Sequence, residues 1–330
     1  MSLNGFIPRF DVVGLGECMV AFQPLAKGPL FTANAFEPHV VGAESNVCVG
    51  VVRLAHKAAM IGRVGADGLG EAILRDLRME GVGVDAMEVD QDAQTAVQIR
   101  ERRGFGASEF LYYRRDSAGS RLSPDQVRGC EALIAQASWL HVSGITLAVS
   151  SQAREAAHLA AEIAGVHGTM VSFDVNLRRK LWPDAKVASQ SLLEFAARSD
   201  LVFAGEAEAA YLVGEGATDE LGASLLNACR RSATAVLKLG DRGAISLNGD
   251  GQTHSCNGHK VPFVADVVGA GDAFAAGYIS GRLDGLADDL SLERANLCGA
   301  FAVSAAGDTR GLPCRAEVQR LTLPFEEVMR

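Results

Sequence analysis

The chain has 330 residues, 48% hydrophobic and 22% charged; this is ordinary globular composition, long enough to bury a core without staples, and it excludes a disordered chain. A net charge of −9 weighs against a general nucleic-acid binder, which needs a basic footprint, but leaves small anionic ligands open because local groups read those. The seven cysteines are scattered without a C-x-x-C pair, no apolar run reaches the roughly 18 residues of a membrane span, and the start MSLNGFIPRFD lacks a secretory signal, so the expectation is a reduced, cytoplasmic protein with no membrane or nucleic-acid partner.

Along the chain, short β-type runs alternate with helical periods. Residues 11–16 read as a buried first strand. Residues 44–55 read as a helix, with Val47, Val51 and Leu54 at helical spacing. A strand over 58–64 and a helix over 69–79 follow. Two strands then arrive with no helix between them, 95–102 and 109–115, joined by a turn at 103–106. Alternation resumes with strands at 139–143, 170–175 and 201–204, interleaved with helices at 150–164, 185–198 and 206–213. A helix at 220–231, strands at 235–239 and 244–248, and helices at 270–283 and 292–305 complete the pattern. Such alternation implies an α/β fold with a mainly parallel central sheet and helices on both faces. The strands at 95–115, with the polar stretch 23–38, suggest a small separate sheet. Ligands of open α/β sheets sit at the carboxyl ends of the strands, where such a sheet would act as a lid. His254, Cys256 and His259 read as a surface hairpin rather than a metal site, because no second ligand pair exists.

The densest chemical signal is D-V-V-G-A-G-D over 266–272, followed by A-F-A-A-G. Gly269 and Gly271 flank a helix start, where backbone N–H groups and the helix dipole make an anion cradle. Asp272, in the first turn, is placed to take a proton from an attacking hydroxyl. On physics alone it could equally be an acid that favours the helix dipole. No Walker P-loop occurs, and G-L-G over 14–16 lacks the third glycine of a dinucleotide fingerprint.

The run G-A-G-D-A-F-A-A-G over 269–277 resembles the second signature of the ribokinase-like (pfkB) family of carbohydrate kinases. G-A-E-S-N over 42–46 and G-R-V-G-A-D-G-L-G over 62–70 resemble the first. The resemblance covers roughly residues 10–315. It implies one α/β kinase domain, a ribokinase-like three-layer sandwich, with lid strands inserted from about 17–41 and 95–115, and leaves 316–330 as a C-terminal tail. It makes Asp272 the catalytic base and Gly269, Ala270 and Gly271 the anion hole. Lys238, Gly240 and Gly243 fall in the family's nucleotide-side loop, and Asn296 lines the adenine pocket. Glu208 matches the last position of an N-x-x-E motif tied to Mg²⁺, with Gly205 in place of the asparagine; as a residue alone, Glu208 also reads as a helix-surface acid. ATP and Mg²⁺ are the implied cofactors, with room for a monovalent cation.

On the sugar side, F-L-Y-Y-R over 110–114 and F-D-V-N-L-R over 173–178 resemble the family's 2-keto-3-deoxygluconate kinase branch. The chemistry agrees, since a guanidinium fork is the best partner for a carboxylate. Arg114 and Arg178 would clamp the acid from two sides, with Tyr112 beside the polyol; a solvated basic turn remains open for Arg178, and sheet packing for one of Tyr112 and Tyr113. Gly42, Asn46 and Asp308 would touch the sugar. Val41, Gln98 and Val267 depart from the family pattern. The expectation is an ATP-dependent kinase of an acidic sugar, with a neutral-sugar kinase, a nucleoside kinase of the same superfamily or a non-catalytic binder as alternatives, and with dimerisation through the lid as an expected partner mode.

Overall fold

The computed structural model describes residues 10–101, 109–229 and 233–322. Its strands are β1 (Val12–Leu15), β2 (Met19–Pro24), β3 (Phe36–Val41), β4 (Ala58–Gly65), β5 (Gly83–Asp90), β6 (Ala96–Glu101) and β7 (Glu109–Tyr113). They continue with β8 (Trp139–Ser143), β9 (Met170–Asp174), β10 (Leu201–Gly205), β11 (Thr234–Lys238), β12 (Ala244–Asn248) and β13 (Thr253–Cys256). Nine form one sheet in the order β13-β12-β11-β10-β9-β8-β1-β4-β5, and four form a second, β3-β2-β6-β7. The large sheet is parallel from β11 to β5 and antiparallel only at its β12 and β13 edge.

Strand residues alternate between two cores. Val13, Val202 and Ala235 pack on one side of the large sheet, while Val12, Phe203 and Val236 pack on the other. This is the period-two side-chain direction of a strand buried on both faces. Helices cover each core, which makes the three-layer ribokinase-like α/β fold. No helix among the described residues is long and apolar enough to cross a membrane.

The strands that the sequence pattern misses lie at edges or in the lid. β5 is an edge strand whose Asp85, Glu88 and Asp90 interrupt any apolar run. β2 and β3 form a six-residue antiparallel pair, Met19 opposite Val41 through Pro24 opposite Phe36. Pro38 is tolerated in β3 because that strand is an edge and needs no second ladder partner. Short helices at Pro124–Gly129, Glu131–Ala135 and Gly144–Val149 were not expected from periodicity either. Residues 315–322 form a helix whose Val318 packs into the core, so the chain beyond 315 begins as a packed element rather than a tail. The expected 103–106 turn and the expected helix end at 231 lie outside the described residues.

Candidate active site

The helix Ala270–Leu283 opens on Gly269, which adopts φ +81°. A side chain there would be strained, and its Cβ would meet the Asp308 carbonyl oxygen at 2.6 Å. Among the described residues no side chain caps this helix start, so the first-turn N–H groups of Gly271 and Asp272 remain available to an anion. A Cβ on Gly271 would lie 3.3 Å from Lys238 Nζ, which places that ammonium at the same helix start. Lys238 ends β11, and Asp174 ends β9; their side chains are joined by a 2.7 Å ion pair. Burial works against the Lys238 charge, but Asp174, Glu208 and Asp272 outweigh it and raise its pKa.

Asp272 lines the floor of a cleft of about 830 Å³ between the two sheets. Asn46, on the helix Ala43–Arg53, donates from Nδ2 to Asp272 Oδ2 at 2.7 Å and to Asp308 Oδ2 at 3.3 Å. Burial pushes the Asp272 carboxyl up; Asn46 opposes this, Asp174 and Asp308 add to it, Lys238 lowers it, and the pKa settles at about 8. A carboxyl raised this far is a stronger base than an ordinary aspartate once it is ionised, and strength is one property a general base needs. Gly42 sits where β3 meets that helix, and a Cβ on it would meet the Glu17 carbonyl at 2.6 Å. Its lack of a side chain thus serves the packing of the lid hinge, in addition to lining the cleft.

The lid contributes one face of the small sheet. Gln98 pairs with Tyr112 and Arg100 with Phe110 across β6 and β7, so all four side chains point into the cleft. Tyr113, one residue on, is 63% exposed and turns away. Of the two expected clamp arginines, Arg114 is buried and ion-paired with Glu17, with its guanidinium over the Tyr112 ring at 5.9 Å. Arg178 is exposed on the opposite wall, and its one hydrogen bond among the described residues is to the neighbouring Leu177 carbonyl at 3.4 Å. Arg178 is therefore a cleft-wall cation without a carboxylate partner among the described residues, as are its neighbours Arg179 and Lys180, while the charge of Arg114 is already matched.

Asp308 reaches the cleft from the loop after the helix Asp288–Val303. Its partner is Arg100, an ion pair that no motif in the sequence signalled.

Glu208 lines the cleft, but its two oxygens accept backbone N–H groups, Leu177 at 2.8 Å and Gly205 at 2.7 Å. It closes the start of the helix Glu206–Val213 and ties it to the segment after β9. Among the described residues, no group of three His, Cys, Asp or Glu side chains could hold a metal ion. The donor set thus does not fit a metal held by the protein alone. Gly240, Gly243 and Asn296 do not line this cleft. Gly243 abuts the Cys256 carbonyl, to which Asn296 Nδ2 donates at 3.3 Å, so these two share one neighbourhood beyond Lys238, at the β12–β13 edge. Ala270 is the first residue of the same helix, between the two glycines.

An anion cradle at a helix start, an acid in its first turn and a β lid over the strand ends define a phosphotransferase. Residues 9–315 match the pfkB family of carbohydrate kinases, and the chain belongs to that family. It is a carbohydrate kinase, which phosphorylates an alcohol group. It is 34% identical over 315 residues to the 2-dehydro-3-deoxygluconokinase of Bacillus subtilis (strain 168), covering 94% of each chain. It is 31% identical over 323 residues to probable fructokinase-4 of Arabidopsis thaliana, covering 94% of this chain and 96% of that one. Among solved structures, the PfkB protein from Polaromonas sp. JS666 superposes with a TM-score of 0.85 at 31% identity, covering 94% of this chain and 99% of the other.

Proposed function

We propose that this kinase transfers the γ-phosphoryl group of ATP to an acidic sugar, 2-keto-3-deoxygluconate, giving its 6-phosphate. The observation that carries the reading is Arg178, a cation on the cleft wall with no carboxylate partner among the described residues, followed by the equally unpaired Arg179 and Lys180, whereas Arg100 and Arg114 are matched. A neutral hexose would leave that guanidinium unused, whereas an aldonate carboxylate fits its fork.

In this reading the terminal hydroxyl of the sugar lies against Asp272. Asp272 takes its proton as the oxygen forms a bond to the γ-phosphorus, and the bond from that phosphorus to ADP breaks. The backbone N–H groups at 269–271 and the Lys238 ammonium stabilise charge on the transferring oxygens. Closure of the lid sheet would exclude water from the reacting phosphoryl group. Mg²⁺ would arrive on the nucleotide's own phosphates and neutralise their charge. Glu208 then acts by fixing the backbone between β9 and the Glu206 helix. Gly240, Gly243 and Asn296 are proposed to meet the nucleotide.

The seven free thiols suit the reducing cytoplasm. β7 is a lid edge with Leu111 and Tyr113 exposed, which suits pairing of lids between two copies; a monomer mass in light scattering would count against it.

A panel of acidic and neutral sugars with coupled ADP detection tests the substrate. The expected result is turnover of 2-keto-3-deoxygluconate with much weaker turnover of fructose. A preference for fructose, the substrate that the Arabidopsis relative's name suggests, would overturn the reading.

A further inference from the structure

Arg100 belongs to no motif, yet it is 3% exposed and central to the sugar end. Its guanidinium is divided among several neighbours. Nε donates to Gln98 Oε1 at 3.0 Å, and Nη2 is paired with Asp308 Oδ1. Nη1 is 3.8 Å from Asp266 Oδ2 and makes no hydrogen bond of its own. The Phe110 ring lies 5.7 Å from Cζ. The other Asp308 oxygen accepts from Asn46, which also holds Asp272. His39 faces the same pair from β3, with Glu37 and Arg310 beside it.

This arrangement does two things to the cleft. The Gln98 amide oxygen is occupied, and flipping the amide would set its N–H groups against the Arg100 N–H. Gln98 lines the cleft and is 6% exposed, and its Nε2 group has no partner among the described residues. What it offers a ligand is therefore a donor. The arginine also cancels the charge of Asp308, which stands with Asp272 and Asp174 in a cleft that would otherwise repel an anion.

We propose that Arg100 is a positioning residue for substrate choice: it fixes Gln98 as a hydrogen-bond donor and neutralises Asp308, so that the sugar end accepts a carboxylate-bearing substrate. The inference rests on the acidic-sugar reading above and assigns Gln98 and Arg100 a part in it.

The test is Gln98→Glu, assayed on 2-keto-3-deoxygluconate and on fructose, with a Ki for whichever sugar is not turned over. The new carboxylate can still pair with Arg100, so the lid keeps its contact, but the cleft receives an acceptor with negative charge where it had a donor. Losing a hydrogen bond to a charged group predicts a rise of about tenfold or more in KM for the acid, with kcat nearly unchanged and the fructose constant unmoved. Gln98→Leu, which removes the donor without adding charge, should raise the same KM by less. Arg100→Lys keeps the charge beside Asp308 but loses the fork that holds Gln98, and should again weaken the acid selectively. Equal changes on both sugars, or no change with folded Gln98→Leu, would overturn the inference while leaving the acidic-sugar reading intact. A wild-type enzyme that phosphorylates no acidic sugar would instead overturn the reading beneath it.

Discussion

The phosphoryl end of the cleft comes largely from one continuous run, 266–272, whereas the sugar end is gathered from separated stretches around Asn46, Arg100, Arg114, Arg178 and Asp308. The first is built from backbone: a left-handed glycine, a helix start and the amides of its first turn. The second is built from side-chain ion pairs made across the fold, Arg100 with Asp308 and Arg114 with Glu17. Backbone geometry is local and serves any phosphoryl acceptor. Paired side chains depend on how the lid seats on the body, and they are where a choice of sugar can be made. The two ends meet at Asn46, which hydrogen-bonds both Asp272 and Asp308.

The comparison is broken most directly at the phosphoryl end. Asp272→Asn should lower kcat by about 10²–10⁴ on every sugar, because the base serves the chemistry and not the choice of acceptor. Coupled ADP assays measure this, and near-normal turnover would remove Asp272 from that role. The same variant has a stability signature. Burial raises the Asp272 pKa from an ordinary 3.8 to about 8 in the folded chain, so between those values the folded state holds more protons than the unfolded one. Stability from this group is therefore present at low pH and is lost as pH rises toward 8. Thermal melts of Asp272→Asn should lack that loss.

Next in size is Gly269→Ala, which puts a Cβ at positive φ and against the Asp308 carbonyl. A strained backbone position of this kind costs about 1–3 kcal/mol. Denaturant melts should show that cost, and kcat should fall with it. An unchanged melt and rate would mean the turn can relax without disturbing the cradle.

At the sugar end, Arg178→Ala should raise KM for the acidic sugar by about tenfold, as expected for a hydrogen bond to a charged group, with little effect on a neutral sugar. Arg178 is exposed, so the fold should survive, and equal losses on both sugars would sink its role in reading charge. The subtlest effect joins the two ends. The acid limb of kcat/KM should fall near pH 8, and Asp308→Asn should move it to lower pH, because one of the charges that raise the Asp272 pKa is gone. A limb that does not move would separate the two ends electrostatically.

The legibility of the residues follows the same division. The helix start that carries Gly269, Gly271 and Asp272 could be read from sequence because it is written in consecutive residues. Lys238 lies in a strand that the sequence pattern placed, and the structure adds its pairing with Asp174, a contact between two strand ends. Arg100 carried no local signal, since an arginine in an alternating strand looks like any solvent-facing one. The expected symmetry of Arg114 and Arg178 dissolved for a similar reason: the partner that matches Arg114, Glu17, is distant in the chain. Glu208 matched a motif, yet capping of its own helix start and the neighbouring backbone already occupies its oxygens. Lid strands β2 and β3 lack a clean alternation, because β2 is buried on both faces, Gln23 included, whereas β3 leaves Phe36 and Pro38 exposed.

By itself, the sequence determined the alternating α/β fold, the helix-start cradle with its acid, and membership of a phosphoryl-transfer family. Those features rest on periodicity and on backbone conformation, which nearby residues dictate. Tertiary structure alone decided which charges at the sugar end are spent on each other and which remain for a substrate. A buried ion pair needs two groups brought within a few ångströms, and only the packing of lid against body does that.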